Sequence, residues 1–72
     1  MQFNCTIEME NDAFKGTEPL THPILEVARI LQELSKDLVD AYIDGDKNFD
    51  GYLRDRNGNK VGHYSVEGVD DV

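Results

Sequence analysis

Apolar and polar residues follow different periods at the start and in the middle of this chain. Residues 2 to 9 are predicted to form a strand, because apolar residues alternate with polar ones there. The apolar residues should form its buried face: Phe3, Cys5, Ile7 and Met9. Residues 10 to 22 have the Asn, Asp, Gly and Pro content of a surface loop. Phe14 and Leu20 are expected to hold that loop against the core.

A helix is predicted over residues 23 to 43, because Pro23 suits a first helical position and apolar residues then recur at spacings of three and four. The predicted apolar face consists of Ile24, Val27, Ala28, Leu31, Leu34, Leu38 and Tyr42. The predicted solvated face is charged and holds Glu26, Arg29, Glu33, Lys36, Asp37 and Asp40. Ion pairs are expected along it between Glu26 and Arg29, Arg29 and Glu33, and Lys36 and Asp40. Asp44-Gly45 is expected to end the helix.

The last third of the chain predicts a β-hairpin with strands near residues 51 to 56 and 59 to 67. Asp55-Arg56-Asn57-Gly58 fits a type I turn closed by a glycine bulge, and Asn57-Gly58 alone fits a two-residue type I′ turn. The two choices differ in strand register. The residues expected to meet the helix are Leu53, Val61, Tyr64 and Val66.

These elements predict one domain over residues 1 to 72, with an acidic tail at 68 to 72. The predicted fold class is α+β, of β-α-β-β order, with a three-stranded antiparallel-type sheet packed on one helix. At this length a chain buries only about 60% of the surface that its unfolded form exposes. The core is therefore expected to be thin.

The chain has a net charge of −8, from 15 acidic and 7 basic residues. Direct binding to nucleic acid or to an anionic membrane is not expected, because such binding requires clustered Lys and Arg. No long apolar run and no signal-like start is present, so a cytoplasmic location is expected. The acidity either keeps the protein dispersed or attracts a basic partner.

The residue types used in catalysis are few. The single cysteine, Cys5, cannot form an internal disulfide and is expected to pack as a small hydrophobic residue. His22 is expected to cap or flank the helix, and His63 to be exposed on a strand. No catalytic or phosphate-binding motif is present. We therefore expect neither enzymatic activity nor a cofactor.

The alternative interpretation of the segment that follows the helix is a calcium-binding loop. The first, third and fifth positions of an EF-hand loop are matched by Asp46, Asn48 and Asp50. The position of the bidentate glutamate is Asn57, however, and the residues after it alternate as in a strand. A polar turn is the preferred interpretation, and weak calcium binding remains the alternative.

Both ends of the chain carry a family resemblance. The opening Met1-Gln2-Phe3-Asn4-Cys5-Thr6-Ile7-Glu8-Met9-Glu10-Asn11-Asp12-Ala13-Phe14 and the closing Leu53-Arg54-Asp55-Arg56-Asn57-Gly58-Asn59-Lys60-Val61-Gly62-His63-Tyr64 resemble small proteins of tailed bacteriophages and prophages. Those proteins open with an acidic strand, continue with one helix and end in such a hairpin. The chain differs in its long 44 to 52 connection and its acidic tail. The resemblance implies a protein made in an infected bacterium, and it brings no catalytic residues.

The expected function is therefore the binding of a host protein that has a basic surface. The partner would be a nucleic-acid-binding defence or transcription component, as for anti-CRISPR, anti-restriction or DNA-mimic proteins. The residues expected to contact it are Glu8, Glu10 and Asp12 at the strand exit and Glu33, Asp37 and Asp40 on the helix. The alternative is a self-associating structural protein, whose sheet face or edge pairs with a second copy.

Overall fold

The structure is a computed structural model and describes residues 1–15, 22–46 and 48–68. In this part of the chain, strand β1 (Gln2–Ile7), helix α1 (Pro23–Ile43), strand β2 (Asp50–Arg54) and strand β3 (Lys60–Glu67) follow one another. A 3-10 turn, Asp12–Phe14, follows β1. The predicted α+β fold of β-α-β-β order is confirmed. The expectations for Leu20 and for the tail beyond Gly68 lie outside the described residues.

The three strands form one antiparallel sheet in the order β1-β3-β2. β3 is the central strand, and Gly62 pairs with Ile7 of β1 on one side and with Leu53 of β2 on the other. β1 ends at Ile7, two residues before the predicted strand end. The backbone N–H of Glu8 still donates a 2.7 Å hydrogen bond to the carbonyl of Val61.

The helix has the bounds that the sequence predicts, and both of its ends are capped. His22 is the N-cap, where its Nδ1 accepts a 3.1 Å hydrogen bond from the backbone N–H of Ile24. At the other end Gly45 takes a φ of 82° and donates its N–H to the carbonyl of Tyr42. This left-handed glycine ends the helix as predicted.

The hairpin uses the type I turn with a glycine bulge. The N–H of Gly58 donates to the carbonyl of Asp55 at 3.0 Å, and the N–H of Asp55 donates to the carbonyl of Asn59 at 2.9 Å. Gly58 has a φ of 84°, whereas Asn57 does not take the positive φ that a type I′ turn requires. The register also shifts next to Leu53, so that Val61 is the extra residue of the ladder.

The hydrophobic core lies at the hairpin-turn end of the sheet. Its buried members among the described residues are Ala13, Phe14, Ile30, Leu34, Leu53 and Val61. Half-buried apolar side chains pack against them, namely Ile7, Val27, Leu38 and Tyr64. The predicted anchoring role of Phe14 is confirmed, and so is the contribution of Leu53, Val61 and Tyr64.

The predicted apolar face of the helix is rotated relative to the face that is actually buried. Ile30, which the prediction left out, is almost fully buried, and Glu26, predicted to be solvated, is buried as well. The predicted face members that are instead exposed are Ile24, Ala28, Leu31 and Tyr42. The apolar arc of this helix is wider than the sheet it packs on, so the periodicity alone did not show which part is covered.

The predicted buried face of β1 is also largely wrong. Phe3, Cys5 and Met9 are exposed, and only Ile7 is half-buried. The helix and the Asp12–Phe14 turn cover the Ile7 end of the sheet, where the core lies. At the other end Phe3 stacks on Tyr64, with 6.4 Å between ring centroids.

Two glycines allow the strands and an aromatic ring to approach closely. A Cβ at Gly62 would lie 1.8 Å from the backbone oxygen of Thr6 in β1. A Cβ at Gly51 would lie 2.9 Å from the hydroxyl of Tyr64, whose ring covers this edge-strand glycine. The backbone of β1 cannot move without breaking the ladder, whereas the Tyr64 ring can turn aside.

Gly62→Ala is therefore expected to lower the free energy of unfolding by at least about 3 kcal/mol, and Gly51→Ala by about 1 kcal/mol. Urea denaturation followed by circular dichroism measures both, with Gly51→Ala as the matched control. A Gly62→Ala variant as stable as Gly51→Ala would contradict the close approach of β1 and β3.

Candidate protein-binding surfaces

A buried carboxylate joins the start of the helix to the hairpin turn. Glu26, whose side chain is only 7% exposed, accepts hydrogen bonds from Arg29 Nε at 2.6 Å and from the backbone N–H of Arg56 at 2.8 Å. The Arg29 hydrogen bond, helped by that of Arg56, holds the pKa of Glu26 below its ordinary value, although burial opposes this. The predicted Glu26–Arg29 pair is thus present, and its role is to help hold the helix to the hairpin turn.

A second buried carboxylate organises the hairpin turn itself. Asp55 accepts hydrogen bonds from the backbone N–H groups of Asn57 and Asn59 and, at 2.7 Å, from the Nδ2 of Asn11. Burial acts to raise the pKa of Asp55, but these hydrogen bonds outweigh it and hold the pKa below its ordinary value. Asp55, Asn57, Gly58 and Asn59 of the closing motif therefore have structural roles in the turn.

Two of the predicted partner-binding residues of the helix lie beside β2, and Asp40 follows Asp37 by three residues on the same side of the helix. Glu33 and Asp37 line a cavity of about 250 Å³ with Tyr52 and Arg54 of β2. Burial, and then the negative charges of Asp37 and Asp50, raise the pKa of the Tyr64 phenol. We call Glu33, Asp37, Asp40 and Asp50 the acidic flank.

The other predicted partner-binding residues, Glu8, Glu10 and Asp12, follow β1 and lie near the hairpin turn. All three are exposed, and Asp12 is paired with a cation. Asp12 lies 3.6 Å from the Nζ of Lys15, and Glu8 lines a depression that Lys60 also lines. The six predicted residues therefore occupy two separate places, because the helix carries Glu33 about 10 Å and Asp40 about 21 Å along its axis from Glu26.

Charge pairing differs along the acidic flank. Glu33 accepts a 2.8 Å hydrogen bond from Arg29, as predicted. Within the described residues, no Lys or Arg nitrogen lies within 4.0 Å of Asp37, Asp40 or Asp50, so the predicted Lys36–Asp40 pair does not form. Among residues 1–15, 22–46 and 48–68, this part of the helix therefore has carboxylates without a paired cation.

The candidate catalytic side chains are not brought together. His22 is used as the helix cap, and His63 is exposed and pairs with Thr6 and Tyr52 across the sheet, as predicted. Cys5 pairs with Tyr64, so strand alternation places it on the face opposite to His63. The expectation that Cys5 is buried is wrong, because the helix does not extend over it.

The calcium alternative gains no support from the geometry. Asp50 opens β2 and pairs with Ser65 of β3, and Asp46 follows the helix cap. Over residues 1–15, 22–46 and 48–68, no three Asp, Glu, His or Cys side chains lie close enough together to hold a metal ion.

The sequence interpretation missed that part of the apolar face it predicted for the helix is left exposed. The residues of this part recur at alternating spacings of four and three, and we call them the outer stripe: Ile24, Ala28, Leu31, Ser35, Leu38 and Tyr42. Only Leu38 among them is half-buried, and the exposed Leu25 and Val39 border them. The signal was present in the sequence as a second heptad stripe beside the one that covers the sheet.

Among the described helices, none is both long enough and apolar enough to cross a membrane. Comparisons of the chain with protein-family models, with curated proteins and with solved structures give no match.

The two carboxylates that bind Arg29 are expected to differ in their contribution to stability. Glu26→Gln should lower the free energy of unfolding by about 1.5–3 kcal/mol, because a buried charged hydrogen-bond acceptor is lost. Glu33→Gln should lower it by less than about 0.5 kcal/mol, because the Glu33 side chain is 65% exposed. Urea denaturation at neutral pH measures both, and equal losses would contradict the structural role of Glu26.

Stability is also expected to fall in acid. The ordinary pKa values are 4.5 for Glu26 and 3.8 for Asp55, and both are lower in the folded protein, so the unfolded chain takes up protons first as the pH falls. The stabilisation from these two carboxylates is complete above their pKa values in the unfolded chain, and it is lost as the pH falls through their pKa values in the folded protein. Urea midpoints between pH 7 and pH 3 should fall less steeply for Glu26→Gln and for Asp55→Asn than for the parent. Unchanged slopes would show that other carboxylates govern acid unfolding.

Proposed function

We propose that this protein acts by binding another protein through the acidic flank, as an accessory protein of a tailed phage or prophage in the host cytoplasm. The partner is a host protein with a basic surface, such as a nucleic-acid-binding defence or transcription component. The observation that carries the proposal is the exposure of Asp37, Asp40 and Asp50, none of which has a Lys or Arg nitrogen within 4.0 Å among the described residues.

The shape of the acidic flank favours a protein partner. Glu33, Asp37 and Asp40 advance along one side of a rigid helix by about 6 Å and then about 4.5 Å. An acidic surface of this kind speeds encounters with basic sites and repels nucleic acid. Its charge is sparser than that of duplex DNA, which carries one charge per roughly 1.7 Å of axis. A local contact with a basic site is therefore expected, and not the replacement of a long duplex.

The strand-exit residues Glu8, Glu10 and Asp12 supply a matched comparison. They are exposed as well, but Asp12 is paired with Lys15. Among the described residues they thus offer two carboxylates without a cation within 4.0 Å, against three in the acidic flank. In the sequence interpretation both groups were expected to bind the partner. The geometry favours the helix group as the main contact and the strand-exit group as a minor one.

The experiment is capture of host proteins from bacterial lysate on three forms of the tagged chain. The parent should retain a basic nucleic-acid-binding protein at about 0.05 M salt and release it at about 0.5 M, because salt screens exposed charges. A variant with Glu33→Gln, Asp37→Asn and Asp40→Asn should lose this protein. A variant with Glu8→Gln, Glu10→Gln and Asp12→Asn, which removes the same charge, should keep most of it.

Circular dichroism of the three forms checks that each is folded. Equal loss in both variants would mean that only the total charge matters, and retention by the helix variant would exclude the acidic flank. If no form captures a protein at either salt concentration, the proposal of a basic host partner is wrong.

A further inference from the structure

The outer stripe lies on the side of the helix away from β2. Glu33 and Asp37 face β2, where they line the cavity with Tyr52 and Arg54. Leu31 is two residues before Glu33 and therefore lies roughly 160° around the helix axis from it. Apart from the half-buried Leu38, the stripe is open to solvent, with exposed fractions of 55% for Ile24, 44% for Leu31 and 76% for Tyr42.

This surface carries no charge, although 31% of the residues in the chain are charged. The charged residues of α1 all lie outside the outer stripe and its border: Glu26, Arg29, Glu33, Lys36, Asp37 and Asp40. The exposed border residues on the same side are Leu25, Gln32 and Val39. A broad uncharged apolar helix face in so charged a protein is typical of a protein interface.

The outer stripe is complementary to itself when two copies of the helix run antiparallel. With the two-fold axis at residue 33, Leu31 lies opposite Ser35 of the second copy, Ala28 opposite Leu38, and Ile24 opposite Tyr42. Each small side chain thus meets a large one, which is the arrangement that interdigitating helices require. In the border, Leu25 comes near Val39 of the second copy.

The exposed side chains suit such an interface. Besides Ile24, Leu31 and Tyr42, the border residues Leu25 and Val39 are 47% and 56% exposed. Large apolar side chains left open along the helix can form the buried centre of an interface with a second copy.

We infer that the outer stripe binds the same stripe of a second copy, giving a two-fold dimer joined by antiparallel α1 helices. The acidic flank of each copy lies on the other side of its helix and stays exposed. An anionic membrane is a poor alternative occupant, because membrane-surface helices carry Lys and Arg on the polar face and this face is acidic.

Sedimentation equilibrium of the untagged chain tests the inference. The mass should rise from 8.2 kDa toward twice that value between about 1 µM and about 1 mM chain. Raising the salt from about 0.05 M to about 0.5 M should strengthen association, because it screens the repulsion between two chains of net charge −8. Partner capture by the acidic flank has the opposite salt dependence, so failure of one proposal is distinguishable from failure of the other.

Two single variants locate the interface. Leu31→Glu should raise the dissociation constant at least about thirtyfold, because it places a charge next to the two-fold axis. Tyr52→Ser removes a side chain that is also exposed, at 67%, but lies on the sheet, and it should leave the dissociation constant unchanged. A parent that stays monomeric over the whole concentration range, or a dimer that only Tyr52→Ser disrupts, would overturn the inference.

Cross-linking tests the antiparallel direction with a positive signal. In a Cys5→Ser background, chains carrying Ile24→Cys are mixed with chains carrying Tyr42→Cys and treated with a short bismaleimide. Mixed dimers should be linked, because the two positions meet only when the helices run antiparallel. Two Ile24→Cys chains should not be linked, since their cysteines would lie about 27 Å apart. Links only between identical chains, or no links at millimolar concentration, would overturn the proposed arrangement.

Discussion

Two buried carboxylates, Glu26 and Asp55, hold the parts of this small domain in place. Asp55 binds the backbone of the hairpin turn and the side chain of Asn11, which follows β1. Glu26 binds the same turn from the helix through the N–H of Arg56. The helix, the hairpin and the exit of β1 therefore meet at one turn. Apolar burial alone is limited at this size, so these directional contacts decide how the helix is placed on the sheet.

The features that local chemistry determines were predictable from the sequence. Pro23 and Gly45 mark the ends of the helix, and the turn at Asp55 to Gly58 has the residues that a type I turn with a bulge requires. The choice against a type I′ turn was not predictable, because Asn57 accepts either conformation. The register of β2 on β3 and the two N–H groups that Asp55 binds determine which of the two turns forms.

The side of the helix that faces the sheet depends on contacts distant in sequence, and here the interpretation failed. The apolar arc of α1 includes both Ile30 and Leu31, and periodicity does not distinguish a covered residue from its uncovered neighbour. Glu26 was assigned to solvent because it is charged, yet it is buried because the hairpin turn supplies its hydrogen-bond donors. The same long-range placement explains the exposure of Phe3 and Cys5, which lie beyond the end of the core.

The separation of charge from apolar surface on the helix connects the two proposed interactions. The acidic flank lies beside β2, and the outer stripe lies on the other side of the same helix. A dimer formed by the outer stripe would double the number of acidic flanks without covering either of them. Two linked acidic flanks bind a two-fold symmetric or repeated basic partner more tightly than one, since the second contact forms within the complex. The proposed self-association and the proposed partner binding are therefore compatible in this fold, and a dimer would raise the effective strength of the charged contact.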